Sequence, residues 1–328
     1  MWARSLLRAF VVIALSTRIC AANDYTDCEA TDVQRSIEAC TRLIQGPGGT
    51  RSNLAIAFYN RAVDYDRTGA RALANADYDQ TIRLNPMFSE AYHNRGLNYY
   101  FDHDYDRAIS DFDAAVRLAP RTSIYFDSRA NAYTEKAQYD RAVIDYQRAI
   151  RLNPRAPEPY YNLGNMYLDK DDLDLAIASF NRAILVQPDK ADAFDNRGTA
   201  YDRKGEYQRA IDDHTRAIGL SQKGSVVYMH AIYNRGVVYD EIKDYDKAIA
   251  DLDSAIEFDA NDAASYYRRG VTYFHKGDRY RAMLDYTKAS ALHPNELNAF
   301  ERRRQEDAQK ALKDLVEGRT RTPEPGDR

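Results

Sequence analysis

The sequence predicts an all-α fold, a solenoid of stacked antiparallel helix pairs, and three observations carry that expectation. A 34-residue pattern recurs seven times, at residues 55–88, 89–122, 123–156, 157–190, 191–224, 229–262 and 263–296. Its eleventh position is always Tyr (Tyr65, Tyr99, Tyr133, Tyr167, Tyr201, Tyr239, Tyr273), and its twentieth is always Ala (Ala74, Ala108, Ala142, Ala176, Ala210, Ala248, Ala282). Its eighth is always Gly or Ala (Ala62, Gly96, Ala130, Gly164, Gly198, Gly236, Gly270). A fixed period of this length marks a repeat architecture, in which each unit buries its apolar face only by stacking on its neighbours.

Within a copy, small and large residues alternate at helical spacing on two segments, as in Ala91, Tyr92, Gly96 and Tyr99 and again in Ala108, Phe112 and Ala115. Small residues at positions eight and twenty let two helices approach closely, and the large side chains at four, eleven and twenty-four are expected to fill the core between them. Pro stands at position thirty-two in five copies (Pro86, Pro120, Pro154, Pro188, Pro294) and cannot continue a helix. The pattern resembles the tetratricopeptide repeat: large residues at four, eleven and twenty-four, small ones at eight, twenty and twenty-seven, and the terminal Pro recur in register over residues 55–296. That resemblance implies a right-handed superhelix of antiparallel helix pairs.

The flanks read as address and caps. Residues 1–22 have the form of a secretory signal peptide, with Arg4 and Arg8 ahead of an apolar run Ala9–Leu15 and with Ala21 and Ala22 before Asn23. The apolar run is too short for an ordinary transmembrane helix. The expected location is therefore outside the cytosol, periplasmic or secreted, with no span in the mature chain. Removal of 1–22 would take the formal net charge from −4 to −7. Residues 23–54 form an N-terminal capping half-repeat, in which Thr31 and Gln34 suggest a capping box opening a helix to about Ile44. Residues 297–317 are expected to be a C-terminal capping helix with Phe300, Ala308, Ala311, Leu312 and Leu315 facing in, and 318–328 a disordered tail.

Loss of Cys20 with the signal leaves Cys28 and Cys40, an even count that in an exported chain suggests one disulfide. Cys40 also aligns with position twenty-four of the degenerate half-repeat, so a reading as a small core residue stays open. Six copies pair an Arg at position seven with an Asp at position twenty-three, and the copy 157–190 loses both, carrying Leu163 and Ser179. The joint loss predicts an ion pair between the two helices of a repeat. Four extra residues between 219 and 229 predict either a flexible loop or an extended first helix of the sixth copy. His214, at position twenty-four, reads as a core histidine.

The resemblance also implies where a ligand would sit. In that family the first helices line a concave groove into which positions two, five, nine, twelve and thirteen point. Position five gives Tyr59, His93, Asp127, Tyr161, Asp195, Tyr233 and Tyr267, and positions nine and twelve add Asn131, Asn165, Tyr100, Asp202, Asp240 and Phe274. Glu90, Glu135, Glu158, Asp169, Asp192 and Glu241 at positions two and thirteen make the lining acidic. Asp127 and Asp192 stand where the carboxylate-gripping members of the family need Lys, so that function is not expected. An acidic, Tyr-rich groove favours a basic or aromatic extended peptide through charge steering and cation–π contact; surface acids that merely solvate the array are the alternative.

Catalysis is not expected. The six His form no metal-ligand spacing, and no phosphate-cradling Gly loop or nucleophile elbow occurs. No cofactor is implied. A net charge of −4 and a mean hydropathy of −0.66 give no bias toward nucleic acid and no transmembrane bundle. The expected function is a scaffold holding a protein or peptide partner in the groove. Self-association or envelope assembly through the outer face or ends, and carbohydrate binding by the groove tyrosines, are the alternatives.

Overall fold

The computed structural model describes residues 24–46, 49–292 and 299–317. The proposed signal peptide, Pro294 and the tail lie outside the described residues, as does the side chain of Phe300. The described residues form seventeen helices and no strand. These are α1 (Asp24–Asp27), α2 (Val33–Gln45), α3 (Arg51–Arg67), α4 (Arg71–Leu84), α5 (Ser89–Phe101), α6 (Tyr105–Leu118), α7 (Ser123–Glu135), α8 (Tyr139–Leu152) and α9 (Glu158–Asp169). There follow α10 (Leu173–Val186), α11 (Ala191–Arg203), α12 (Tyr207–Leu220), α13 (Val226–Glu241), α14 (Tyr245–Phe258), α15 (Ala263–Lys276), α16 (Arg279–Ala291) and α17 (Ala299–Val316). The chain forms two compact units that meet in sequence between Pro159 and Tyr160. In the first unit α3 packs on α4, α5 on α6 and α7 on α8; in the second α11 packs on α12, α13 on α14 and α15 on α16. Each unit is an α-solenoid of helix pairs.

Packing inside a repeat follows the small–large alternation, with one revision. Position twenty-four is the core: Tyr78, Phe112, Tyr146, Phe180, His214, Leu252 and Tyr286 are all buried. Glycine at position eight is required by close approach, since a Cβ on Gly164 would lie 2.6 Å from the Phe180 ring. Rings at positions four and eleven were expected in the same core, but most are only half-buried. They flank the position-seven Arg instead: the Arg129 guanidinium lies 5.7 Å from the Phe126 centroid and 5.8 Å from that of Tyr133. The same arrangement holds Arg61, Arg95, Arg197 and Arg269.

The second helices of the first six copies stop at position thirty whether or not Pro follows, and α16 stops at twenty-nine. Helices α12 and α14, in copies without Pro, end at Leu220 and Phe258, in the same register as Leu84 and Leu152. Between the two helices of a repeat the chain turns through a left-handed residue. Gly69, Gly205 and Gly277 supply it in three copies, whereas His103, Ala137, Asp171 and Lys243 hold φ between 54° and 65° in the others. The four extra residues near 225 lengthen α13, which starts at Val226 under a cap from the Ser225 hydroxyl.

The N-terminal cap differs by one residue from the expected capping box. Asp32, not Thr31, caps α2 by accepting from the Arg35 N–H at 3.0 Å, and Gln34 reaches along the helix to Glu38. A carboxylate at the positive end of the helix dipole outcompetes a neighbouring hydroxyl. Cys28 and Cys40 form a disulfide, and both are buried against Ala39 and Ala57, so the bonded and the core readings hold together. At the other end Ala308 is buried, with Ala311 and Leu312 packed against the cluster of Tyr267, Tyr273 and Tyr286.

Candidate functional site on the first helices

The Arg at position seven forms both the expected pair and a contact the sequence reading missed. In all six copies its Nε and Nη2 donate to the two carboxylate oxygens of the position-twenty-three Asp, at 2.7–2.9 Å. Its Nη1 then reaches position twenty-five of the preceding repeat: Arg129 to Asp113 at 2.7 Å, Arg235 to Thr215 at 3.0 Å, and Arg95 to Asp79. One guanidinium thus ties two helices of its own repeat to the repeat before it. In the fourth copy the replacements Leu163 and Ser179 are buried, and the Ser hydroxyl turns back to the Leu175 carbonyl.

Two further polar strips join successive repeats, and both use residues the resemblance assigned to a ligand. Position five of one repeat bonds position six of the next. Asn94 donates to the Tyr59 hydroxyl at 3.2 Å, and His93 Nε2 and Ser128 Oγ lie hydrogen-bonded at 2.9 Å. In the second unit Asn196 donates to the Tyr161 hydroxyl at 3.1 Å and to Asn165 Oδ1 at 2.8 Å, and Asn234 donates to Asp195 at 3.2 Å. Position twelve bonds position thirteen of the next repeat: the Tyr100 hydroxyl donates to Glu135 at 3.1 Å, Arg203 to the Leu168 carbonyl at 2.9 Å, and His275 Nδ1 to Asp240 at 2.9 Å.

The predicted groove residues therefore divide. Tyr59, Tyr100, Asn131, Tyr161, Asn165 and Tyr233 are half-buried and keep part of their surface on the face of the first helices. His93, Asp127, Asp195, Asp202, Asp240 and Tyr267 are buried in the free chain and form the wall rather than its surface. Asp195 is the clearest case, since it accepts from both His214 Nδ1, at 2.7 Å, and Asn234. A short acidic side chain at position five is held inward, whereas Tyr59, Tyr161 and Tyr233 are long enough to emerge; Tyr267 stays buried in the cluster with Tyr286 and Ala308. Asn131 accepts from the buried Tyr146 hydroxyl at 2.7 Å.

The wall is electrostatically uneven. Burial lowers the His93 imidazole to a pKa of about 4, so it is neutral at physiological pH, between the rings of Phe112 and Tyr125. Burial raises Asp66 to about 6, although Tyr78 and Asn98 both donate to it. Burial and then the nearby Glu90 carboxylate raise the Tyr59 phenol, and burial and Asp192 do the same to Tyr161. Among the described residues no group of His, Cys, Asp or Glu could hold a metal ion, and no helix is long and apolar enough to cross a membrane.

The residues that the sequence reading overlooked are those at position six: Asn60, Asn94, Ser128, Asn162, Asn196, Asn234 and Arg268. The signal was visible, because a hydrogen-bonding side chain stands there in every copy.

Models of the tetratricopeptide repeat match residues 89–122, 157–190 and 263–296, three of the seven copies in the same register, and a TPR repeat model matches 130–171 and 236–277. Comparison with curated proteins gives no match. Among solved structures, the APC/C hetero-tetramer Cut9–Hcn1 is 18% identical, with a TM-score of 0.59 over 87% of this chain, which spans only 54% of that one. A tetratricopeptide repeat protein of Parabacteroides merdae is 19% identical over 80% of this chain and 98% of its own, with a TM-score of 0.59. Yeast Tom70 is 16% identical over 94% of this chain and 67% of its own, with a TM-score of 0.56. At such identities the likeness is one of fold. The repeated register, the helix pairs that realise it and the matching family models agree that this chain belongs to the tetratricopeptide repeat proteins.

Proposed function

We propose that the chain is a protein-interaction scaffold that holds an extended segment of a partner along the face of its first helices. The observation that carries this is the series of position-six side chains. A polar side chain stands at position six in every copy, half-buried in all but Ser128, and for Asn94, Asn196 and Asn234 the preceding repeat already fixes its orientation through position five. A carboxamide offers both a donor and an acceptor, the complement of an extended backbone, and fixing it beforehand lowers the ordering cost of binding. The tyrosines at position five add aromatic surface, and the acids at positions two and thirteen favour a basic partner.

The proposal includes export. The buried Cys28–Cys40 disulfide is the kind of bond that persists in an oxidising compartment. Mass spectrometry of the chain recovered from culture medium and envelope fractions should find a mature N-terminus at Asn23; an intact Met1 in the cytosolic fraction would refute this part.

The binding test is partner capture from envelope extract by the chain beside a variant carrying Asn94→Ala, Asn196→Ala and Tyr233→Ala. Asp195 is left intact because it is buried against His214. Proteins retained by the parent and lost by the variant, with the helical signal unchanged, are the expected result. Equal retention by both would refute binding on this face.

A further inference from the structure

Resting on the reading above, the structure also indicates what kind of side chain the second unit receives. In the first and fourth copies position thirty-four, the residue just before the next first helix, lies over the position-five tyrosine of its own repeat. In the first unit this is Phe88, stacked on Tyr59 with centroids 4.7 Å apart. In the second unit it is Lys190, whose ammonium nitrogen lies 4.7 Å from the Tyr161 ring centroid. Lys190 is half-buried and makes no ion pair among the described residues, although Asp192 follows it by two positions. The ring beneath is held rigidly. The Tyr161 hydroxyl accepts from Asn196, and its ring packs 6.0 Å from that of the buried Phe180. Asp192 and Asp195 both place negative potential on it.

We infer that the Tyr161 ring, with Asp192 beside it, is an ammonium subsite for a lysine side chain of the partner, and that Lys190 fills it as a stand-in until the partner displaces it. The site recognises a primary ammonium: a fixed aromatic face, adjacent carboxylates, and a neighbouring carboxamide at Asn196 to hold the partner's backbone. Lys190 sits at the cap of α11 on a flexible stem and can swing into water when replaced. An exposed cation–π contact is worth ~0.5–1 kcal/mol, so self-occupancy should weaken a lysine ligand by about two- to fivefold.

The test is an NMR titration of the full chain with acetyl-Gly-Lys-Gly-Lys-Gly-amide and with its norleucine counterpart. Lys190→Gln should bind the lysine peptide about two- to fivefold more tightly than the parent, with the norleucine peptide unchanged. Tyr161→Leu should abolish the preference for lysine over norleucine in the Lys190→Gln background. Lys223→Gln removes the same charge from the exposed connection before α13. Equal tightening by Lys190→Gln and Lys223→Gln would show a charge effect alone and overturn the subsite. The ε-protons of Lys190 give a readout independent of affinity. They should be shifted upfield by the ring in the free chain, and should move toward solvent values as the lysine peptide is added. No ring shift in the free chain would overturn the proposal whether or not Tyr161→Leu folds. If Asn196→Ala weakens both peptides while lysine gains nothing over norleucine, the groove stands and the subsite falls. If neither peptide binds any variant, both fall.

Discussion

Removing Arg129 alone from the buried Arg129–Asp145 pair should cost more than removing both partners. Arg129 holds Asp145 through two bonds of 2.7 and 2.8 Å and Asp113 through a third of 2.7 Å. The Asp145 side chain is 6% exposed and that of Arg129 17%. Arg129→Leu would strand the Asp145 carboxylate beside Phe126 and Tyr133, a loss of about 3–5 kcal/mol. Asp145→Ser would strand the guanidinium, but Asp113 remains to hold it, so about 2–3 kcal/mol is expected. The double variant copies what the fourth repeat already carries in Leu163 and Ser179, both buried there. Its loss should be close to that of Asp145→Ser alone, giving a coupling of roughly 3–5 kcal/mol. Urea unfolding of the four chains, followed by circular dichroism, measures each corner of the cycle. Losses that add to within about 0.5 kcal/mol would refute the pairing as the reason for the joint substitution.

Acidification should reveal two opposing buried groups. His93 has a folded pKa of about 4 against 6.5 unfolded, so its stabilising contribution is full above pH 6.5 and is lost as pH falls toward 4. Asp66 is raised to about 6 from 3.8, so the folded state gains stability as pH falls through 6. Between pH 7 and pH 5, Asp66→Asn should therefore lose about 1 kcal/mol relative to the parent and His93→Gln should gain about 2 kcal/mol, by chemical denaturation at each pH. Identical pH profiles for parent and both variants would refute the assignment. Ala137→Gly, at φ 54°, should stabilise the chain by about 1 kcal/mol because Gly alone enters that region without a Cβ clash; a lower thermal midpoint would count against it. Reduction of Cys28–Cys40 should cost about 2–3 kcal/mol. Hydrogen exchange should place that loss in α1 and α2, and uniform loss across the first unit would contradict a local cap.

Period, helix pairs and copy boundaries were legible because each rests on a backbone or packing constraint repeated seven times. A Gly opposite Phe112, Phe180 or Tyr286 has one explanation, and the ring and the Gly recur in register. The Arg–Asp pair was legible for a subtler reason, in that two substitutions vanish from one copy together. Contacts between repeats were not. The bond from Asn94 to Tyr59 and that from Arg129 to Asp113 join residues 35 and 16 positions apart, and nothing within a single copy marks them. Alignment of the copies showed what recurs at a position but not which neighbouring copy it touches. Position five was accordingly assigned to a ligand in every repeat, although the next repeat holds His93 and Asp195 inward.

That revision changes how variants on this face must be interpreted. A side chain at position five that bonds position six of the next repeat belongs to the repeat–repeat contact and to the ligand-facing surface together. Loss of binding after Asp195→Ala would therefore say little about a ligand, because the same change strands His214, which is wholly buried and whose Nδ1 donates to that carboxylate. Half-buried residues whose bonds are made through a terminal hydroxyl or carboxamide are the informative ones. Tyr161→Phe removes one hydrogen bond from Asn196 yet keeps the ring, and Asn196 retains its bond to Asn165. The expected stability loss is about 1 kcal/mol, small enough that a larger change in partner affinity could be attributed to the surface itself. A solenoid stabilised only by contacts between neighbours cannot separate its groove from its interfaces by distance, so the separation has to be made atom by atom.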